Sequence, residues 1–140
     1  ENGSRSVAML NLEIVTPEKK VVDETVDSVR VPTGKGEIGI LPQHAPLISM
    51  LRPGVLSYSK DGTTDEMVIS GGFVEVSTDK VSILADIAER ADEIDKEGAK
   101  VEQEDTKKLL GEWDGSEEDF EVELERLEKA QARLQIAAKN

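Results

Sequence analysis

A chain of 140 residues with a formal net charge of −13 and only 3% aromatic side chains has room for one compact domain and an appendage. The acidic balance argues against nucleic acid, whose phosphates are met chiefly by Lys and Arg, and no apolar run nears the roughly 20 residues of a membrane helix. Without Cys there is no disulfide framework, thiol nucleophile or Cys-type zinc site, and a single histidine, His44, excludes a histidine metal cluster within one chain.

Residues Glu1 to Ala8 are polar and patternless, a cloning remnant or frayed leader, and fold reasoning starts at Met9. Leu10, Leu12 and Ile14 then alternate with Asn11 and Glu13, the period of a strand with one face in a core. Thr16-Pro17 ends that strand. Val21 and Val22 open a second run, and Val29 and Val31 flank Arg30 before Pro32-Thr33-Gly34 breaks the pattern.

The stretch from Gly34 to Leu47 combines three glycines with Pro42 and Pro46, and His44 stands between the prolines. Glycine frees the backbone for tight turns and proline stiffens a bend, so a sharply shaped, nearly uncharged lip is expected, with Ile38 and Ile40 inward and Glu37 outward. Leu47 to Leu51 forms the next strand. Arg52-Pro53-Gly54-Val55 fits a type II turn with positive φ at Gly54. Asp61-Gly62 marks a hairpin whose loop takes in both following threonines. Gly71-Gly72 interrupts a strand by a bulge or close backbone packing, and Val81, Ile83, Ala85 and Ile87 continue at period two. Roughly eight to ten short strands separated by turn signals read as an antiparallel β-sandwich over residues 9–92.

Residues 93–140 change to helical composition. Asp95 caps a first helix carrying a sparse stripe of Ala99, Thr106, Leu110 and Trp113. Ser116, with Asp119 three residues on, caps a second, in which Phe120, Leu124, Leu127, Gln131 and Leu134 share one face. The short link between them makes an antiparallel helical hairpin. Two facing helices cannot bury all of Leu109, Leu110, Trp113, Phe120, Val122, Leu124, Leu127, Leu134 and Ile136, and residues 95–140 hold 14 acidic and 8 basic side chains. Weak docking of the hairpin on the sandwich is therefore expected.

Four segments in this order, Gly36-Glu37-Ile38-Gly39-Ile40-Leu41-Pro42-Gln43-His44-Ala45-Pro46-Leu47, Pro53-Gly54, Ile69-Ser70-Gly71-Gly72-Phe73-Val74-Glu75-Val76 and Val81-Ser82-Ile83-Leu84-Ala85-Asp86, resemble the epsilon subunits of bacterial F-type ATP synthases, counterparts of the mitochondrial delta subunit. The resemblance runs from Met9 to the C-terminus. It implies a sandwich of about ten strands followed by a helical hairpin, the architecture expected above. It further implies a non-catalytic rotor subunit of the central stalk, peripheral at the cytoplasmic face of the bacterial plasma membrane. The sandwich would bind the gamma subunit and rest on the polar loops of the c-ring, and the mobile helices would inhibit ATP hydrolysis when extended to the catalytic beta subunit.

Carried over residue by residue, the resemblance assigns Gly36, Glu37, Gly39, Pro42 and His44 to the c-ring contact. It assigns Arg126, Lys129 and Arg133, spaced by three and four on one helix face, to an acidic segment of the beta subunit. The more ordinary reading of these cations is a solvated face paired with Glu125 and Glu128. No cofactor is implied, although ATP serves some relatives as a regulatory ligand. The corresponding positions here are Ile94, Asp95, Ala99, Lys129 and Arg133, but Gly98 replaces the family's Arg and Asp105 stands where another is expected. Two other readings stand beside this one. A free-standing β-sandwich ligand-binding module lacks the aromatic platforms of a sugar site, and a small hydrolase lacks a triad, metal cluster or phosphate loop.

Overall fold

The structure, a computed structural model, describes residues 9–139, so the leader segment Glu1 to Ala8 lies outside the described residues. Ten strands come first: β1 Leu10–Val15, β2 Lys20–Val26, β3 Ser28–Thr33, β4 Gly36–Ile40, β5 Leu47–Met50, β6 Gly54–Lys60, β7 Thr63–Ser70, β8 Phe73–Val76, β9 Lys80–Leu84 and β10 Ile87–Glu89. A single 3₁₀ turn, Ala91–Glu93, leads into α1, Lys96–Gly111, and α2, Glu117–Ala137. The strands form two five-stranded sheets, ordered β2-β1-β9-β8-β5 and β10-β7-β6-β3-β4. Their inner faces enclose one core in which Leu10, Leu12, Ile14, Ile40, Leu56, Met67, Ile69 and Ile83 are buried, as period-two patterning requires of strands with one wet face.

One pairing departs from the antiparallel expectation. β1 runs parallel to β9, with Leu12 opposite Val81 and Ile14 opposite Ile83. This parallel pair joins the antiparallel β1–β2 hairpin to the antiparallel β8–β9 hairpin.

The turns also correct the reading of the chain. Asp61 and Gly62 have φ of 51° and 82°, both positive as a type I′ turn requires, and Lys60 pairs directly with Thr63. The loop is thus two residues long and both threonines belong to β7. Gly54 takes no positive φ; it opens β6 opposite Ile69. Close approach demands glycine there, because a Cβ would lie 2.9 Å from the Pro32 Cβ. Gly71-Gly72 does not bulge one strand but carries the chain from one sheet to the other, with φ of 74° and 90°. A Cβ on Gly72 would fall 1.8 Å from the Leu84 carbonyl oxygen, which is the close backbone packing the sequence suggests. The run from Val81 to Ile87 likewise splits at Ala85-Asp86, β9 and β10 lying in different sheets.

Both helix caps form as read: the Asp95 carboxylate accepts from the Gly98 amide at 3.0 Å and the Ser116 hydroxyl from the Asp119 amide at 3.1 Å. Trp113 falls in the link rather than on α1, where its indole donates to the Ser116 carbonyl at 3.1 Å and meets Phe120 edge-to-face at 5.8 Å. The helices pack together, burying Ala99 and Thr106 of α1 and Leu127 and Ala130 of α2. Gln131, placed on the apolar stripe by its spacing, is exposed. The buried arc of α2 instead turns through Ala132 and Ile136, because this helix has two neighbours to satisfy, α1 on one side and the sandwich on another.

The docking platform is the outer face of the second sheet. Val68 lies between Met67 and Ile69, both of which face the core, so it must point outward; it is nonetheless fully buried, packed with Ala132 and Ile136 and flanked by Val55, Ala91 and Ile94. Around this small apolar seam lie ion pairs. Arg52 reaches Glu121 and Glu128 on α2 at 2.8 and 2.9 Å, and Lys139 reaches Glu66 at 2.9 Å.

Candidate subunit interfaces

Two regions carry the candidate contact residues. The first is the lip, built on the β3–β4 hairpin. Gly36, with φ of 106°, allows the tight reversal, and the Thr33 hydroxyl locks it by donating to the Gly36 carbonyl at 2.6 Å. Glu37 points outward as expected and pairs with Arg30 of the neighbouring strand at 2.9 Å, while Ile40 is buried and Ile38 partly so. Gly36 and Gly39 are exposed on this edge strand, and nothing lies within 4 Å of where a Cβ would stand on either. Beyond β4 the chain bends through Pro42 and His44. The His44 amide donates to the Leu41 carbonyl at 3.2 Å, and Gln43, at φ 67°, donates from its amide to Thr78 at 3.1 Å, tying the lip to the β8–β9 turn. His44 is half-buried, its Nδ1 2.7 Å from the Ala45 carbonyl. Gly36, Glu37 and Gly39 therefore lie on the edge strand β4, with Pro42 and His44 in the bend that follows it.

Beside the lip runs a strip that reasoning from the sequence missed. Strand register places Met50 opposite Phe73, Phe73 opposite Leu84, and Leu84 opposite Val15, a row across β5, β8, β9 and β1 on the outer face of the first sheet. Met50, Phe73 and Leu84 are 67%, 39% and 43% exposed, and Ile48 one step along β5 is 69% exposed. Such a contiguous apolar row facing water makes this face a candidate interaction surface. The signal was present in Phe73-Val74 and Ile83-Leu84: consecutive apolar residues within a strand mean that both faces are apolar.

The second region is the inner edge of α2. Arg126, Lys129 and Arg133 do share a face, but their partners are neither Glu125 nor Glu128. Glu125 is adjacent to Arg126 in sequence and so points elsewhere on the helix, and Glu128 is engaged by Arg52. Arg126 instead grips both carboxylate oxygens of Glu102 on α1 and one of Glu123, the latter at 3.0 Å. Arg133 grips both oxygens of Glu89, at the end of β10, at 2.7 and 2.9 Å. The hydrogen bonds from Arg126 hold the Glu102 carboxyl below the usual range, and the charges of Arg126, Lys129 and Arg133 add to this. Glu89 in turn raises the Arg133 pKa, with Glu102 and Asp95 contributing.

Of the residues expected to meet a nucleotide, Asp95 helps to raise the Arg133 pKa, whereas Ile94 packs beside Val68 and Ala99 is buried. Gly98 has no room for a long side chain without moving the cap, since a Cβ there would stand 2.5 Å from the Asp95 carboxylate. Among the described residues no three His, Cys, Asp or Glu side chains are grouped to hold a metal, and no helix is long and apolar enough to cross a membrane.

Residues 9–91 match the family described as ATP synthase, Delta/Epsilon chain, beta-sandwich domain. The chain belongs to that family. Among its relatives are the ATP synthase epsilon chain of Geotalea uraniireducens, 42% identical over 93% of this chain and 94% of the relative, and that of Herpetosiphon aurantiacus, 44% identical over 91% and 93%. Both alignments extend past the sandwich into the helices, so the family likeness covers the hairpin as well. Among solved structures, a chain of the Euglena gracilis mitochondrial ATP synthase in an OSCP/F1/c-ring assembly matches with a TM-score of 0.76 and 30% identity over 91% of this chain and 82% of that one. A chain from the Tetrahymena thermophila central stalk and c-ring shares the fold, with a TM-score of 0.58 at 13% identity over 93% and 94%.

Proposed function

We propose that this chain is the epsilon-type central-stalk subunit of a bacterial F-type ATP synthase, a non-catalytic part of the rotor, peripheral to the cytoplasmic face of the plasma membrane through the complex. The observation that carries the reading is the exposed row of Met50, Phe73 and Leu84 on a stiff sheet, next to an edge built of Gly36, Glu37, Gly39, Pro42 and His44. A rotor element has to hold one neighbour firmly and another by a shaped polar edge, and this body offers both surfaces side by side. The apolar row would seat the gamma subunit, and the lip would rest on the polar loops of the c-ring. The Euglena relative's place in an assembly containing F1 and the c-ring favours the same arrangement.

In this reading the sandwich, residues 9–92, transmits torque and the hairpin, residues 93–140, regulates. Extended, α2 would present Arg126, Lys129 and Arg133 to an acidic segment of the beta subunit and restrain ATP hydrolysis. Nucleotide binding by the folded hairpin is disfavoured, because Arg133 is already satisfied by Glu89, which a phosphate would have to displace, and Gly98 and Asp105 stand where two further cations are expected. Replacing Met50 and Phe73 by Lys in the full chain tests the seating of gamma. Both side chains point to water, so the sandwich should fold unchanged while co-purification with gamma is lost; undiminished recovery of gamma would refute the assignment.

A further inference from the structure

Both arginines on the basic edge of α2 are occupied from within. Three carboxylates, Glu89 at the end of β10, Asp95 at the cap of α1 and Glu102 two turns along α1, face three cations, Arg126, Lys129 and Arg133. The two arginines are each held by two bonds to one carboxylate, the fork geometry that gives such pairs their strength. The side chains of Arg133 and Glu89 are 21% and 25% exposed, so their pairing is better shielded from water and salt than an ordinary surface pair.

We propose that Glu89 and Glu102 are internal ligands that lock the hairpin shut and mask this basic edge from an acidic protein surface. The inference rests on the reading of that edge as the inhibitory contact. The two locks close different joints. Glu89 belongs to the sandwich, so its bond to Arg133 fastens α2 to the body. Glu102 belongs to α1, so its bond to Arg126 fastens one helix to the other. The edge becomes available in two steps, undocking of the hairpin and then separation of its helices. Each step exchanges an internal carboxylate for one on the partner. These bonds act together with the apolar seam of Val68, Ala132 and Ile136, which holds the first joint. Arg52 with Glu121 and Glu128, and Lys139 with Glu66, act at the first joint only.

The chain has no Cys, so cysteines introduced in pairs can carry distance labels on the full-length protein. T78C with E125C spans the sandwich and α2, and E104C with E125C spans the two helices. At low salt, Glu89→Gln should raise the fraction with a lengthened first distance at least threefold and leave the second unchanged, whereas Glu102→Gln should lengthen the second. Glu89→Asp, which keeps the charge at the same place, should open the joint less than E89Q, which a packing defect would not do. Raising NaCl should open the parent by a larger factor than E89Q, which keeps only the Arg52 and Lys139 pairs at that joint. An E89Q chain whose first distance is unchanged, or one that opens no more than Glu89→Asp, would overturn the lock. In the assembled enzyme, the double variant E89Q/E102Q, with both joints released, should lower ATP hydrolysis at least threefold. Hydrolysis that stays at the parent level while the labels report opening would refute the inhibitory reading of the edge and leave the lock standing.

Discussion

Ile136→Ala isolates the docking of the hairpin from its folding. The side chain is 2% exposed and packs with Val68 and Ala132 between α2 and the outer face of the second sheet. Truncation removes three carbons, about 2.4 kcal/mol at about 0.8 kcal/mol per buried methylene, and an unfilled cavity adds to this. Alanine is the best helix former, so α2 itself gains a few tenths of a kcal/mol and is not weakened locally. A net loss of about 2 kcal/mol in docking means a roughly 30-fold rise in the undocked population, since about 1.4 kcal/mol is tenfold. Native-state hydrogen exchange reads this directly: amides of α1 and α2 that exchange through undocking should do so roughly 30-fold faster, while the slowest amides of β1 and β9 keep their rates. Equal acceleration of strands and helices would show that hairpin and sandwich form one cooperative unit and would refute the reasoning. So would parent-like helix protection matching that of the strands.

The depressed pKa of Glu102 sets a pH dependence for the helix pair. Its folded value lies below the ordinary 4.5, so its contribution is present above that pH and is lost as pH falls through the folded value. Helicity by circular dichroism should therefore hold its melting temperature from pH 7 to 5 and drop below about pH 4.5, with the Glu102 share of the drop absent in Glu102→Gln. Gly72→Ala should destabilise the sandwich by more than about 3 kcal/mol in urea unfolding, because φ is positive there and the obstacle is a backbone oxygen that has nowhere to move. Titration with ATP, followed by Trp113 fluorescence and calorimetry, should show no saturable micromolar binding to the parent chain; such binding would mean that phosphate displaces Glu89 or Glu102.

Local chemistry carried much of this fold. Alternation in Leu10, Leu12 and Ile14 fixed which face of β1 is buried, and short polar side chains at Asp95 and Ser116 fixed where the helices start, because a strand's period and a helix's orphan amides are satisfied by neighbours in sequence. The outward turn of Glu37 followed from the same two-residue period. Partners distant in sequence were not legible in this way. Nothing in the local pattern tells that the chain changes sheets at Gly71-Gly72 and Ala85-Asp86, or that Gly54 is required by Pro32 rather than by its own φ.

The candidate interfaces divide along the same line. The sequence alone determined the elements, their order, the shape of the lip and the common face of Arg126, Lys129 and Arg133, since each depends on residues within a few positions of one another. Only the tertiary structure decided that Met50, Phe73 and Leu84 join into one exposed row, and that Glu89 and Glu102 rather than Glu125 and Glu128 hold the arginines. Those outcomes depend on strand register and on how the hairpin lies against the sheet. Both are set by the packing of the whole molecule, which brings Arg133 and Glu89, 44 positions apart, and Arg52 and Glu128, 76 apart, within hydrogen-bond reach.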